Sequence, residues 1–256
     1  MRSTIKNYKV RRYKSKIINH LKKLKIKKDD HIVLYCKLSS FGIVDKKFPK
    51  ELLEEIIDYI GSNGTIIMPS YTYENDNFVF DKKKLKVNYS TGILVKYFFM
   101  KKNIIRSFRP IHSHLGIGKK SIILKKKNMN SFGKLTDFDS FAKNNFKCVL
   151  LGCEPSEGAT YFIHLEYMNN VPYRKKIIIK KKVFLNNEIK NVKIKYHNKD
   201  KSVNIDLNLG LKKMIKLGLK CEKSSLIFGN SYSIKFRDFQ KYGNKLFKQD
   251  KYCLID

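Results

Sequence analysis

Short apolar runs alternate with amphipathic stretches over the first two thirds of the chain, and this order restricts the fold more than any other feature. The runs at 31–36, 64–70 and 146–152 have the length and apolar character of buried strands. Residues 15–26 and 50–60 place their apolar side chains at helical spacing. Strands that alternate with helices in this way are typical of a layered α/β sheet.

The sequence pattern changes after residue 175, where apolar and polar residues alternate along 175–185, 192–197 and 202–207. Such alternation is typical of half-buried strands. It predicts a small antiparallel β excursion in the C-terminal third, an insertion at 175–207 within one domain of residues 1–256. A helix over 209–218 and a strand over 224–236 are expected to follow it.

The chain is strongly basic, with 55 Lys+Arg against 22 Asp+Glu and a net charge of +33. The basic residues are spread along the sequence and are mostly lysine, so nucleic acid is not the expected partner. A positive field of this size favours anionic ligands and repels polycations. Five cysteines without a CxxC pair predict no disulfide framework and no metal site. We expect a cytoplasmic protein without a membrane span.

Three segments that follow strands are rich in small hydroxyl side chains, namely 37–42, 69–73 and 109–114. In layered α/β folds, ligands bind where strands end and their loops converge. Hydroxyl groups, backbone N–H groups and the nearby Lys37, Arg106 and Arg109 are suited to phosphates. Taken alone this signal is weak, because serine-rich loops are common.

An ordered set of motifs adds to this interpretation. They are "YCKLSSFG" (35–42), "GTIIMPS" (64–70), "RSFRPIHS" (106–113), "DSFAK" (139–143), "CVLLG" (148–152), "TYFIHLE" (160–166) and "VPYR" (171–174). In this order they resemble the aminoglycoside 3-N-acetyltransferase family. The resemblance implies an α-β-α sandwich around a central mixed sheet. It also implies an acyltransferase that moves an acetyl group from acetyl-CoA to the amine of an amino sugar.

The resemblance also implies roles for particular residues. His164 would be the base that takes the amine proton, and Glu166 would orient it. The residues expected to bind the cofactor are Lys37, Ser39, Ser40, Phe41, Arg106, Ser107 and Ser113. Those expected to bind the substrate are Tyr71, Tyr73, Glu74 and Thr160.

The motifs depart from the family pattern in two parts of the expected site, first in the segments expected to bind CoA and then in the segment that holds His164. The first signature begins with Tyr35, Cys36 and Lys37 in place of a histidine and two serines, and Arg109 replaces a histidine.

The second departure is in "TYFIHLE", where the family pattern is T-x-x-H-x-x-E. His164 follows Thr160 by four residues and precedes Glu166 by two. In a regular helix, an offset of two residues is about 200°, so these two side chains would point apart. Either the helix is irregular or another acid serves His164, with Glu154, Glu157 and Asp76 as candidates. A catalytic Cys153 is a further alternative.

The positive charge bears on the acceptor. A nucleotide-linked amino sugar is an anion, whereas an aminoglycoside is a polycation that needs carboxylates around it. The stretch "VPYRK" also resembles the branch of the family found with surface-glycan synthesis. The sequence therefore favours a nucleotide-linked amino sugar or glycan precursor, as in lipopolysaccharide or capsule biosynthesis. An aminoglycoside-resistance enzyme and a non-catalytic member that binds CoA or glycan are the alternatives.

Overall fold

The computed structural model describes residues 15–43, 45–74, 77–86, 91–126 and 128–255. The strands are β1 (His31–Cys36), β2 (Thr65–Pro69), β3 (Val79–Phe80), β4 (Ile105–Arg106), β5 (His114–Gly118), β6 (Lys147–Leu151), β7 (Arg174–Leu185), β8 (Glu188–Lys199), β9 (Glu222–Leu226) and β10 (Gly229–Lys235). The helices are α1 (15–23), α2 (Phe48–Ile60), α3 (Leu94–Phe99), α4 (Asp137–Lys143), α5 (Pro155–Gly158), α6 (Tyr161–Asn169), α7 (Leu207–Lys216) and α8 (Phe236–Gln249).

A seven-stranded sheet forms the centre of the molecule, in the order β4-β5-β2-β1-β6-β10-β9. The central strand β1 pairs in parallel with β2 and β6. The strands on either side of these three are antiparallel to their neighbours. The predicted mixed sheet is therefore confirmed, and its parallel part carries the carboxyl ends of β1, β2 and β6 to one edge.

Helices cover both faces of this sheet, because side chains along β1 alternate between two cores. Val33 and Tyr35 face a core that includes α4, α6, α7 and α8. Ile32 and Leu34 face a second core built with α1, α2 and α3. This confirms the predicted α-β-α sandwich.

The β excursion is a long hairpin, here called the ribbon, formed by β7 and β8 with twelve residues in each strand. The strands pair from Arg174 and Lys199 to Leu185 and Glu188. The two-residue turn at 186–187 has positive φ at both asparagines, which suits a tight hairpin. The short strand β3 adds to β7 in parallel and completes a three-stranded sheet.

The structure differs from the predicted elements in three places. Residues 202–207 do not form a strand, because Asp206 caps the start of α7 by accepting the N–H groups of Asn208 and Leu209. The single strand expected over 224–236 is a hairpin of β9 and β10. The helices α4 and α8 were not predicted, although Phe236, Phe239 and other buried residues of α8 follow helical spacing.

Among the helices that the structure describes, none has both the length and the apolar character that crossing a bilayer requires.

Candidate active site

A cleft of about 370 Å³ lies where the three parallel strands end. It is called the strand-end cleft here, and its lining includes Tyr35, Cys36, Lys37, Pro69, Cys153 and Glu157. A larger cavity of about 600 Å³ lies beside β4 and is lined by several lysines. The strand-end cleft is nevertheless the better candidate, because ligands of open α/β sheets bind at the carboxyl ends of parallel strands.

Lys37 is the exposed cation at this cleft. Its Nζ donates to Oε1 of Glu157, and this hydrogen bond raises the pKa of the Lys37 ammonium. Glu157 belongs to the capping box of α5, where its other oxygen accepts the Glu154 N–H at 2.9 Å. The Glu154 carboxylate in turn accepts from Asn230 and Tyr232, at 2.9 and 2.7 Å. Both acids are therefore held away from His164.

Cys153 is not a nucleophile in this setting. Burial raises the pKa of Cys153 to about 12, so its thiol keeps its proton at neutral pH.

The residues predicted from the first signature divide into two groups. Lys37, which follows β1 and lines the cleft, and Ser39, in the short 3-10 turn after it, are both exposed. Ser40 is buried and its Oγ donates to the Gly152 carbonyl at 2.6 Å. Phe41 is buried against Phe48, with ring centroids 5.2 Å apart. Direct contact with a ligand is available to the first group, while the second holds the loop in place.

Arg106 is occupied by the protein itself. Its Nε lies 3.2 Å from the hydroxyls of Ser70 and Ser113, and its other nitrogens donate to carbonyls of Lys84 and Ser70. Burial lowers the pKa of Arg106 to about 10. Arg106 therefore braces the loop after β2, and its predicted effect on the cofactor would pass through that loop.

The serines of the same motif are equally internal. Ser107 accepts the His114 N–H at 2.9 Å, and Ser113 donates to the Ser70 carbonyl at 2.7 Å. Both are fully buried.

His164 is fully buried in α6. Its Nδ1 accepts the Gly133 N–H at 3.3 Å, and its ring stacks on Tyr161 with centroids 5.3 Å apart. Burial lowers the pKa of His164 to about 4, so the imidazole is neutral at pH 7. Nε2 has no hydrogen-bond partner among the described residues. Gly133 and Tyr161 therefore hold the ring in place while Nε2 is left unpartnered among these residues, and His164 is not among the residues that line the strand-end cleft.

Glu166 points elsewhere, as the two-residue offset predicts. Its Oε2 lies 2.8 Å from Nε of Arg174 in the "VPYR" motif, and both side chains are largely buried. Burial raises the pKa of Glu166 to about 7, although Arg174 acts in the opposite direction. Residues 161–169 are α-helical throughout, so no irregularity turns Glu166 toward His164. The carboxylate whose charge acts on His164 is Asp139, a residue the sequence did not single out for this role. Asp76, another candidate, lies outside the described residues.

The spacing from Thr160 to Glu166 matches the family motif, and the histidine position of that motif therefore falls on Ile163. Ile163 is half-buried in α6. Both residues lie in α6, and neither is among the residues that line the strand-end cleft.

A buried polar chain, which the sequence did not predict, lies behind Tyr35. Asp137 sits between Arg109 and His114, at 2.8 Å from Nε and 2.9 Å from Nδ1, with all three side chains fully buried. The other ring nitrogen of His114 is 3.3 Å from the Tyr71 hydroxyl, which is 3.5 Å from that of Tyr35. No spacing in the sequence indicated this chain, because Asp137 lies 23 residues from His114 along the chain.

The predicted substrate residues lie near this chain. The Thr160 side chain is hydrogen-bonded to Tyr71. Tyr73 is about half exposed and packs edge-on against Tyr71, with centroids 6.0 Å apart. Glu74 forms an ion pair of 2.8 Å with Lys86. The structure therefore brings Tyr71, Tyr73 and Thr160 together and leaves Glu74 neutralised.

Within the described ranges, no group of three or more His, Cys, Asp or Glu side chains is arranged to hold a metal ion.

Comparison with known proteins first shows the class of protein to which the chain belongs, an N-acetyltransferase that uses acetyl-CoA. The aminoglycoside 3-N-acetyltransferase family model matches residues 33–248, and the chain belongs to this family. The predicted enzyme class and co-substrate are confirmed, while nothing in the matches supports the surface-glycan branch. No curated protein matches the chain significantly.

Solved structures share the fold at low sequence identity. Aminoglycoside acetyltransferase AAC(3)-IVa, as the apoenzyme, has 17% identity and a TM-score of 0.80, over 94% of this chain and 90% of that one. AAC-IIIb, solved as a binary complex with CoASH, has 15% identity and a TM-score of 0.78, over 92% and 96%. The YokD protein from Bacillus subtilis has 18% identity and a TM-score of 0.76, over 93% and 99%.

Proposed function

We propose that this protein transfers the acetyl group of acetyl-CoA to an amine of an aminoglycoside. The observation that carries the proposal is the strand-end cleft, which joins the ends of three parallel strands to an exposed cation, Lys37. Family membership supports the same reaction, and so do the names of the structural neighbours, which include aminoglycoside acetyltransferases.

The reaction sets requirements that the cleft meets in part. A neutral amine attacks the thioester carbonyl, the N–C bond forms and the C–S bond breaks. Lys37 lines the cleft and Ser39 is exposed two residues further along the chain, and both side chains are suited to the phosphates of acetyl-CoA. The amine must also lose a proton, which needs a base of suitable pKa within reach.

A second acceptor, an anionic nucleotide-linked amino sugar, is favoured by the local charge. Glu157 is paired with Lys37 and Glu74 with Lys86. Glu154 accepts hydrogen bonds from Asn230 and Tyr232. A polycation therefore meets few unpaired carboxylates near the cleft, whereas an anion is drawn in by the net charge of +33.

The test is a thiol-release assay with acetyl-CoA against gentamicin, sisomicin and a dTDP-linked amino sugar. Turnover of gentamicin or sisomicin is the expected result, and turnover of the dTDP-sugar alone would transfer the assignment to the second acceptor. Calorimetry with CoA runs beside the assay. CoA binding without turnover of any amine would indicate a binding protein and contradict the proposal.

Lys37→Gln tests the cleft itself. Because a phosphate contact is lost, we expect the KM for acetyl-CoA to rise about tenfold, the effect of roughly 1.4 kcal/mol. Lys190→Gln, which removes an exposed lysine of the ribbon, is the matched control and should leave KM unchanged. Equal KM values for both variants would exclude Lys37 from the acetyl-CoA site.

A further inference from the structure

We propose that the ribbon binds the surface of a membrane that contains anionic lipids. The binding surface, called the outer face here, consists of the even-numbered positions of 178–184 in β7 and the odd-numbered positions of 189–195 in β8. Alternate side chains of a strand point to the same side. The register of the hairpin therefore places these two sets on one face, from Ile178 and Lys195 to Phe184 and Ile189.

The outer face exposes apolar side chains that the packing of the fold does not use. Ile178 and Ile189 have 67% and 62% of their surfaces accessible, and Phe184 has 37%. The buried side chains of Val183 and Ile194 belong to the opposite face of the ribbon. Apolar side chains grouped on an exposed surface are typical of a contact with a partner or a membrane. The outer face is therefore a candidate contact surface.

The polar positions of the outer face carry one sign of charge. Lys180 lies directly opposite Lys193, and Lys182 and Lys195 extend the basic surface toward both ends of the ribbon. The single acid of the ribbon, Glu188, projects from the opposite face. Lysines grouped in this way are attracted to the negative potential of anionic headgroups. The outer face is thus complementary in charge to an anionic membrane.

The apolar and basic positions follow one another along the ribbon. Phe184 and Ile189 form a directly opposed pair next to the turn, and the lysines follow toward the base. The outer face is roughly 20 Å long from Phe184 to Ile178, at about 3.4 Å per residue. Apolar side chains of interfacial segments enter the boundary between headgroups and acyl chains, while lysine ammonium groups stay among the headgroups. The order of side chains in the ribbon suits such a position.

Two other partners fit the outer face less well. Single-stranded nucleic acids are held by aromatic rings and arginines, whereas this face has isoleucines, one phenylalanine and no arginine. A second copy of the chain would have to meet β8, which is the edge strand of the three-stranded sheet. Lysines along an edge strand oppose pairing with another strand of the same charge. Both partners are nevertheless distinguished by the experiments below.

Vesicle co-sedimentation tests the charge of the outer face. The wild-type protein should bind vesicles of phosphatidylcholine with about 30% phosphatidylserine, and should bind phosphatidylcholine alone at least about tenfold more weakly. Lys180→Gln combined with Lys193→Gln should weaken binding to the anionic vesicles about 10- to 30-fold. Salt at about 1 M should remove most of the binding.

The matched control for charge is Lys22→Gln combined with Lys23→Gln. These two lysines are exposed in α1, which packs in the second core, whereas the ribbon contacts α6 on the other side of the sheet. The control removes the same charge, and vesicle binding should change by less than about threefold. Equal losses in the two double variants would attribute binding to the net charge of the chain and overturn the proposal.

Tryptophan fluorescence tests the apolar end of the outer face, because the chain has no tryptophan of its own. Phe184→Trp places one reporter beside the turn of the ribbon. Anionic vesicles should shift its emission to the blue, and brominated lipid should quench it, since tryptophan favours the membrane interface. Phe228→Trp is the control in the turn between β9 and β10, where Phe228 is 69% exposed. Its emission should stay unchanged.

Removing the apolar side chains completes the test. Phe184→Ser combined with Ile189→Ser should weaken binding to anionic vesicles about tenfold. Ile227→Ser combined with Phe228→Ser removes an equally exposed pair from the other turn and should have no effect. All of these side chains are exposed, and thermal unfolding checks that each variant keeps the fold. None of them lines the strand-end cleft, so acetyl transfer is tested separately.

Three results would contradict membrane binding. Equal binding to neutral and anionic vesicles, or an unchanged emission of the reporter at position 184, overturns the proposal. Retention on DNA that is lost in the Lys180→Gln and Lys193→Gln double variant, without vesicle binding, would assign a nucleic acid to the outer face. A dimer in sedimentation velocity that is lost in the Phe184→Ser and Ile189→Ser double variant, without vesicle binding, would assign a second copy of the chain.

Discussion

The edge of the central sheet and the ribbon use charged side chains in opposite ways. At the sheet edge, Asp137, Arg109 and His114 are fully buried and contact one another. In the ribbon, most lysines of β7 and β8 are exposed or half-exposed, and even Ile178 has 67% of its surface accessible. A charge withdrawn from water is costly unless it is partnered, whereas a solvated charge costs little. The net charge of the chain therefore says little about which charges stabilise the fold.

The ribbon also has buried residues of its own. Val183 and Ile194 are buried, and His197 is buried beside Tyr167 of α6, with ring centroids 5.2 Å apart. These contacts hold the ribbon against α6, while hydrogen bonds between β7 and β8 stabilise it along its whole length. Its exposed charges are expected to contribute least.

The largest effect is expected at Asp137. Asp137→Ala leaves the buried Arg109 without its carboxylate, which costs about 3–5 kcal/mol of unfolding free energy. Urea denaturation measures the loss, and Glu188→Ala on the ribbon is the control, with an expected change below about 0.5 kcal/mol. Because the pKa of Asp137 is lowered in the fold, its contribution is present at neutral pH and is lost as the pH falls below about 4. Equal losses in the two variants would contradict the comparison.

Glu166 should give the next largest effect, and it should depend on pH. The pKa of Glu166 is raised to about 7 by burial, so the folded state holds this proton more tightly than the unfolded state. The contribution of this proton to the free energy of unfolding is fully present below pH 4 and is lost as the pH rises through 7. Relative to Glu166→Gln, wild-type stability should therefore decline by up to roughly 3 kcal/mol between pH 4 and pH 8. Denaturation of both proteins across this pH range measures the decline, with Glu188→Gln as the exposed control. If the difference in unfolding free energy between wild type and Glu166→Gln does not change with pH, the ion pair with Arg174 outweighs the effect of burial on Glu166.

Two adjacent serines give a smaller contrast. Ser40→Ala removes the hydroxyl that satisfies the Gly152 carbonyl, and we expect a loss of about 1–2 kcal/mol. Ser39→Ala alters an exposed side chain and should change stability by less than about 0.5 kcal/mol. Thermal unfolding of both variants decides the point. The reverse order of losses would show that the buried hydroxyl is not what holds the 3-10 turn.

The fold was predictable where local pattern and tertiary context agree. The strand at His31–Cys36 and the helix at Phe48–Ile60 follow from an apolar run and from helical periodicity. Residues 202–207 alternate like a strand but begin a helix, because the side chain of Asp206 supplies the cap. Alternation alone does not distinguish a strand from a cap followed by a helix.

The site was predictable in place but not in its contacts. The loop after β1 was identified from the sequence, and Lys37 of that loop lines the cleft, while Ser39 is exposed nearby in the chain. The motif also led to His164, whose burial no spacing rule reveals. Asp137 meets His114 only because α4 packs beside β5, a juxtaposition of distant segments that periodicity does not encode.

The smallest effect is expected between Glu188 and Lys190 near the turn of the ribbon. Their charged atoms are 3.2 Å apart, yet 68% and 45% of these side chains is exposed. Water and salt screen such a pair, and holding two long side chains together costs entropy. A double-mutant cycle with Glu188→Gln and Lys190→Gln should give a coupling of at most about 0.5 kcal/mol that vanishes in 1 M salt. The same cycle at Arg109 and Asp137 should give a coupling several times larger that salt leaves almost unchanged, since neither charge reaches water. If the two cycles respond to salt alike, burial is not what distinguishes the sheet edge from the ribbon.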